Sequence, residues 1–384
     1  MKLWSRVIPV ALLTLTSLAW VVWGFYAHRQ INRLAVYTLP DELAAFYKSN
    51  IEFVSAHAVD PDKRRYAASL EGPRHYIDLE RFGGSMKDLP LNFPDFHRKY
   101  TYLYCVQGTD SVRVHYREKR LEVGEEQHFI KQWQYQEWYR EHVWPAYRQE
   151  AVSLPFATIP DLPVHCDRLS LVDTMMQHGV LPYHLVDMQS WLTSAFRQNK
   201  LDRVLQLSAE IGHYIGDATV PLHTTENYNG QLTGQRGIHA FWESRIPELF
   251  AEENFDVLVG AAEYIPDKSG FYRSLVTTSH SHVDSVLLIE ADLRTKLPEE
   301  VQDCFEERLG RVVKVPCRDF ARAYYERLDG MVEEQFRTAI RSVGSAWYTA
   351  WVDAGKPNLS GQLSQLLVER DTLTTRPGLE GRGH

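Results

Sequence analysis

Residues 212–223 read Gly212-His213-Tyr214-Ile215-Gly216-Asp217-Ala218-Thr219-Val220-Pro221-Leu222-His223. Apolar positions from Leu201 to about Asp217 recur at helical spacing, so a helix is predicted there, and His213 and Asp217 leave its same face. Pro221 cannot continue that helix, and His223 lies just beyond the break. Farther on, His239 and Glu243 form a second i,i+4 pair within a helix predicted from Ile238 to Phe250. One such pair is ordinarily a surface contact. Two pairs with a third histidine between them are hard to place as decoration. Hard oxygen and borderline imidazole donors without a thiolate suit zinc in a catalytic rather than a structural site.

The periodicity on either side is mostly helical. Ala27, Ile31, Leu34 and Ala35 recur at helical spacing before Pro40, and Asp41 to about His57 is helix-like. Leu181 to Phe196, Val283 to Lys296 and Cys317 to about Val352 complete the set. The exception is Tyr100 to Arg117. There Tyr100, Tyr102 and Tyr104 alternate with other residues, and Val112-Arg113-Val114 follows a turn at Gln107-Gly108-Thr109-Asp110, which predicts a β-hairpin. The expected fold class is therefore all-α, a multi-helix bundle with a small β-hairpin insertion.

The composition narrows the function. Of 384 residues, 42 are Lys or Arg and 50 are Asp or Glu, a net charge of −8 that argues against coating duplex nucleic acid through bulk positive charge. Hydrophobic residues at 44% and aromatics at 12% are enough for a substantial core and exclude wholesale disorder. Four cysteines are too few for a disulfide scaffold and allow three pairings, among them Cys304 with Cys317 and Cys105 with Cys166. Lys2 and Arg6 precede an uncharged, mostly apolar run from Val7 to Val22. That pattern reads either as a cleaved signal peptide over 1–22 or as an uncleaved membrane anchor through 7–22. The expected location is periplasmic or secreted. The tail over 357–384 is polar and expected to be loose.

Several segments together carry a family likeness. His213 to His223 matches the signature HxxGDxxxPxH, and His239 to Glu243, HAFWE, matches a closing HxxxD/E pair. Trp23-Gly24-Phe25-Tyr26-Ala27-His28 looks like a mature N-terminus in which a Trp donates its α-amino group and carbonyl oxygen. Asp60 and His75 fill a further Asp and His, and His75-Tyr76-Ile77-Asp78 matches an HYID segment. On these residues the chain resembles the superfamily of zinc-dependent phospholipase C and the single-strand-specific three-zinc nucleases. The resemblance implies a phospholipase C/nuclease-like bundle over 23–356, interrupted by an insertion at about 80–180.

It also implies three zinc ions. Asp60, His75, His213 and Asp217 would hold one. Trp23 and His28 would hold the second, with Asp217 bridging, and His223, His239 and Glu243 the third. The implied chemistry is cleavage of a phosphodiester by a zinc-bridged hydroxide, with no side chain needed as general base. In the nucleases an Arg stands three residues after the first Asp. Lys63 occupies that position and Arg64 follows, so Arg64 joins Asp60 and Asp217 as the catalytic candidates, a solvated basic turn being the plain alternative.

The substrate is left open between two classes. The short Trp23-to-His28 spacing, the HYID segment and Trp242 look nuclease-like, whereas Glu243 in place of Asp looks phospholipase-like. The reading leans to a single-strand nuclease or nucleotidase, with phospholipase C acting on phospholipid head groups as the alternative. A third possibility is a non-catalytic, zinc-stabilised envelope binding protein.

Overall fold

The computed structural model describes residues 25–359 except 66, 69, 118–119, 124, 144–152, 156–165 and 309. The expected signal or anchor over 1–22, the ligand Trp23 and the tail from 360 onward lie outside the described residues. In chain order the helices begin with α1 (Phe25–Ala35), α2 (Asp41–Ser49), α3 (Ile51–Ala56), α4 (Asp60–Arg64) and α5 (Phe93–Tyr100). Strands β1 (Thr101–Gln107), β2 (Asp110–Arg117), β3 (Arg120–Val123) and β4 (Glu126–Phe129) follow, then α6 (Gln132–Trp138), β5 (Ser153–Pro155) and β6 (Arg168–Asp173). Next come α7 (Leu181–Arg197), α8 (Leu201–Ala218), α9 (Ile238–Ala240), α10 (Ile246–Asn254), α11 (Lys268–His280) and α12 (Val283–Lys296). Strands β7 (Asp303–Arg308) and β8 (Arg311–Pro316) precede α13 (Arg318–Arg327) and α14 (Met331–Asp353). Among the described residues, no helix is long and apolar enough to cross a membrane.

The all-α expectation is overturned: the molecule is mixed α/β. Strands β1 to β6 form one antiparallel sheet in the order β4-β3-β2-β1-β6-β5, and β7 pairs with β8 as a separate hairpin. The predicted hairpin over Tyr100–Arg117 is present as β1 and β2, but it is only the middle of that sheet. The remaining strands escaped notice for a physical reason. β3 and β4 are four residues each, too short to display a period, and β7 is rich in charge at both ends.

The chain divides into two compact units, Lys87–Gly179 and the two flanking segments taken together. The smaller unit contains the whole six-stranded sheet. Its alternate residues Leu103, Cys105, Val114, Leu121, Val123 and Leu169 face one way and bury against Tyr135, Trp138 and Tyr139. A disulfide joins Cys105 to Cys166, and a second, in the larger unit, joins Cys304 to Cys317.

In the larger unit α8 is the central element. Every residue from Leu207 to Ala218 is buried, the pattern of a helix enclosed on all sides rather than one lying at the surface. Helices α1, α3, α7 and α14 pack around it. Small residues on α8 permit this. A Cβ on Gly212 would sit 1.8 Å from Asn32 Oδ1, and one on Gly216 would sit 2.7 Å from His28 Nδ1. Gly212 and Gly216 are one turn apart, so α1 can lay Asn32 and His28 directly on the α8 backbone. Asn32 fixes that crossing by donating to the carbonyls of Val54 and Ala209, both at 3.0 Å. Above it, Tyr47 stacks on Trp347 at 4.5 Å between ring centres, and the Trp347 indole donates to the Ser208 carbonyl at 3.0 Å.

Candidate metal centre

Six segments of the larger unit deliver ionisable side chains to the C-terminal end of α8. Helix periodicity places His213 and Asp217 on one face of α8, and His28 reaches them from α1 over Gly216. Beyond α8, the Thr219 hydroxyl donates to the Gly216 carbonyl, and Pro221 opens a 3-10 turn over Pro221–Thr224 that carries His223. His75 ends another 3-10 turn, Gly72–His75. The two turns clasp each other: Ile77 N–H donates to the His223 carbonyl at 2.9 Å, and His223 Nδ1–H donates to the His75 carbonyl at 2.7 Å. His239 comes from α9, and Glu243 from the π-helical turn Phe241–Arg245 that continues it. A π-turn inserted in a helix is frequently associated with functional sites. Asp62 comes from α4.

These side chains converge closely. His75 Nδ1 lies 2.9 Å from Asp217 Oδ2 and 3.0 Å from His213 Nε2, which is itself 3.3 Å from the same carboxylate oxygen. His28 Nε2 is 3.4 Å from Asp217 Oδ1 and 3.1 Å from Glu243 Oε1. On the far side of Glu243, Oε2 is 2.8 Å from His239 Nε2 and 3.6 Å from His223 Nε2. Three groups could each hold a metal ion, with ligand atoms within 4.8 Å of one another: His28–His213–Asp217, Asp62–His75–His213, and His223–His239–Glu243.

The donor set fits a cation. The five histidines, Asp217 and Glu243 are all at most 8% exposed. His223 and His239 donate Nδ1–H to the carbonyls of His75 and Tyr228, and a neutral ring so fixed aims its Nε2 lone pair at Glu243. Burial depresses the pKa values of His213 and His223, so both rings are neutral and offer no charge to the carboxylates. Burial raises Asp217 well above the usual carboxylate range, and the Glu243 charge raises it further. Burial works on Glu243 too, but its close contacts with His223, His239 and His28 outweigh it and hold Glu243 well below that range. Two buried carboxylates in conflict, surrounded by imidazoles, form a donor set that a bound divalent cation would stabilise.

The structure brings His28, His75, His213, Asp217, His223, His239 and Glu243 together, and it does not bring Asp60 or Arg64 with them. Asp60 instead accepts from His57 at 2.6 Å and Lys63 at 2.8 Å. Asp62 is the aspartate that faces the cluster, with Oδ1 3.9 Å from His213 Nε2. Arg64 turns to Glu210 at 2.7 Å and Glu71 at 3.4 Å. Arg65 is the cation that acts on the cluster: its guanidinium is 3.8 Å from Asp62, and its charge depresses His213 and lowers Asp217 against the raising effects. The signal that finds both was present in the sequence, because the Arg three residues after an Asp is met by Asp62 and Arg65. Asp62, Arg65 and the packing glycine Gly216 are the site residues the sequence reading missed. No family model matches the chain, and no curated protein matches it.

Proposed function

We propose that this chain is a zinc-dependent hydrolase of phosphate esters, acting at a centre of up to three ions. The observation that carries this reading is the convergence, inside one unit, of seven buried nitrogen and oxygen donor residues with no thiolate among them. Asp62, His75, His213 and Asp217 would hold one ion, His28 and Asp217 would contribute to a second, and His223, His239 and Glu243 would hold a third. Zinc held there supplies Lewis acidity and lowers the pKa of bound water, which is what phosphoester hydrolysis needs near neutral pH.

The chain's own residues supply the rest. Arg65, the cation beside Asp62, would stabilise charge developing on a phosphate oxygen. The carbonyls of His75 and Tyr228 fix the tautomers of His223 and His239, so both present Nε2 inward. The HYID segment at His75–Asp78 and Trp242 favour a single-stranded nucleic acid or nucleotide as substrate. The two disulfides support an exported location, where thiols oxidise and remain paired.

The test is hydrolysis by zinc-loaded protein of four substrates in parallel: single-stranded DNA, RNA, 3′-nucleotides and phosphatidylcholine. Cleavage of the nucleotide substrates supports the reading in full. Activity on lipid alone would replace the substrate, and no hydrolysis at full zinc occupancy would leave a binding protein.

A further inference from the structure

One buried carboxylate ties together the three chain segments that supply the Asp62–His75–His213 group. Glu71 precedes the turn ending at His75 and is 1% exposed. Its Oε1 accepts from the hydroxyl of Tyr214, the residue after His213, and from Arg64, on the same helix as Asp62, at 3.4 Å. Its Oε2 accepts from Arg74, the residue before His75, at 2.8 Å. Arg64 also bonds Glu210 on α8 at 2.7 Å, one turn before His213. Each partner of Glu71 is thus adjacent to a ligand, or on the same short helix as one.

Glu71 also lies on the outer side of a ligand ring. His75 turns Nδ1 towards Asp217 and His213, at 2.9 and 3.0 Å, while its Nε2 lies 3.9 Å from Glu71 Oε1. A carboxylate on that side favours the proton on Nε2 and leaves the Nδ1 lone pair facing inward.

We propose that Glu71 is a positioning residue for the metal group formed by Asp62, His75 and His213. It aligns the three segments through Arg64, Arg74 and Tyr214, and it biases the tautomer of His75. The inference rests on the metal-binding reading above.

The test is titration of metal-free protein with zinc against a competing chelator, with circular dichroism to report the fold. Glu71→Gln is expected to weaken one class of site about 10- to 100-fold and leave the others unchanged. The effect should vanish in an Asp62→Asn background, where that site is already lost. Tyr214→Phe, which removes a single donor from the carboxylate, should shift the same site in the same direction by less. Glu290→Gln is the control, because Glu290 is equally buried and paired with Arg294, in a network containing no candidate ligand. It should leave every site as in the wild type. Wild-type affinities in Glu71→Gln, or equal weakening of all sites by Glu71→Gln and Glu290→Gln, would overturn the inference alone. A wild-type protein that binds no zinc would overturn the metal reading with it.

Discussion

Asp60 and Asp62 stand on either side of Pro61 in a single turn of helix, roughly 200° apart around its axis. Only one of them can face the histidines, and the structure gives that face to Asp62. The spacing of a short helical turn cannot show which face is inward, and the one sequence signal that favours Asp62 is Arg65 three residues beyond it. The i,i+4 pairs, one on α8 and one spanning α9 and its π-turn, were legible because helical periodicity alone puts their members side by side. Asp62→Asn is accordingly expected to lower hydrolysis by on the order of 100-fold or more, and Asp60→Asn by less than threefold, in steady-state assays at saturating zinc. Comparable losses in both would contradict this assignment. Gly216 makes the second prediction at this scale. An added Cβ would meet His28 Nδ1 at 2.7 Å, so Gly216→Ala must push the ring or α1 away. A loss of about 1–3 kcal/mol in denaturant unfolding, with weakened zinc binding, is expected.

The long helices were readable because each carries a sustained apolar stripe. α7, α8 and α12 fall close to the predicted limits. The predicted helix from Cys317 to about Val352 is in fact two helices, α13 and α14, separated where Asp329 and Gly330 adopt positive φ. α11 went unpredicted, because its buried positions Tyr272, Leu275, Val276 and Ser279 are interleaved with small and polar residues. The sheet was legible only at β1 and β2, since the pairing that completes it joins β1 to β6, far away in sequence. Within that unit His97 makes a testable element. It lies fully buried in the last turn of α5, with Nδ1 2.6 Å from the Tyr139 hydroxyl oxygen, and burial pushes its pKa down to about 3. The folded state therefore binds this proton less readily than the unfolded chain. Its contribution to stability is complete above about pH 6.5 and is lost, at about 1.4 kcal/mol per pH unit, as pH falls towards 3. Urea unfolding followed by tryptophan fluorescence should show a shallower loss over that range in His97→Gln than in the wild type. Identical pH profiles would refute a buried neutral His97.

At the scale of the whole molecule, an acidic chain of net charge −8 buries six Asp or Glu residues among the described ones, and two of them, Asp217 and Glu243, lie in the candidate metal cluster. Bulk charge could not reveal this local balance, which depends on which side chains the fold gathers. Metal that binds only the native state adds about 4 kcal/mol at a free concentration 1,000 times its dissociation constant. Removing zinc with a chelator should therefore lower the melting temperature by several degrees, and adding zinc back should restore it. An unchanged melting temperature would mean that the cluster holds no metal.

Zinc-dependent hydrolysis is tested by turnover of bis(p-nitrophenyl) phosphate by protein whose zinc content is counted in the same sample. Hydrolysis should disappear on chelation, return as zinc is restored, and be absent from zinc-supplemented His223→Ala. Turnover indifferent to chelation, or no turnover at full zinc occupancy, would contradict zinc-dependent hydrolysis.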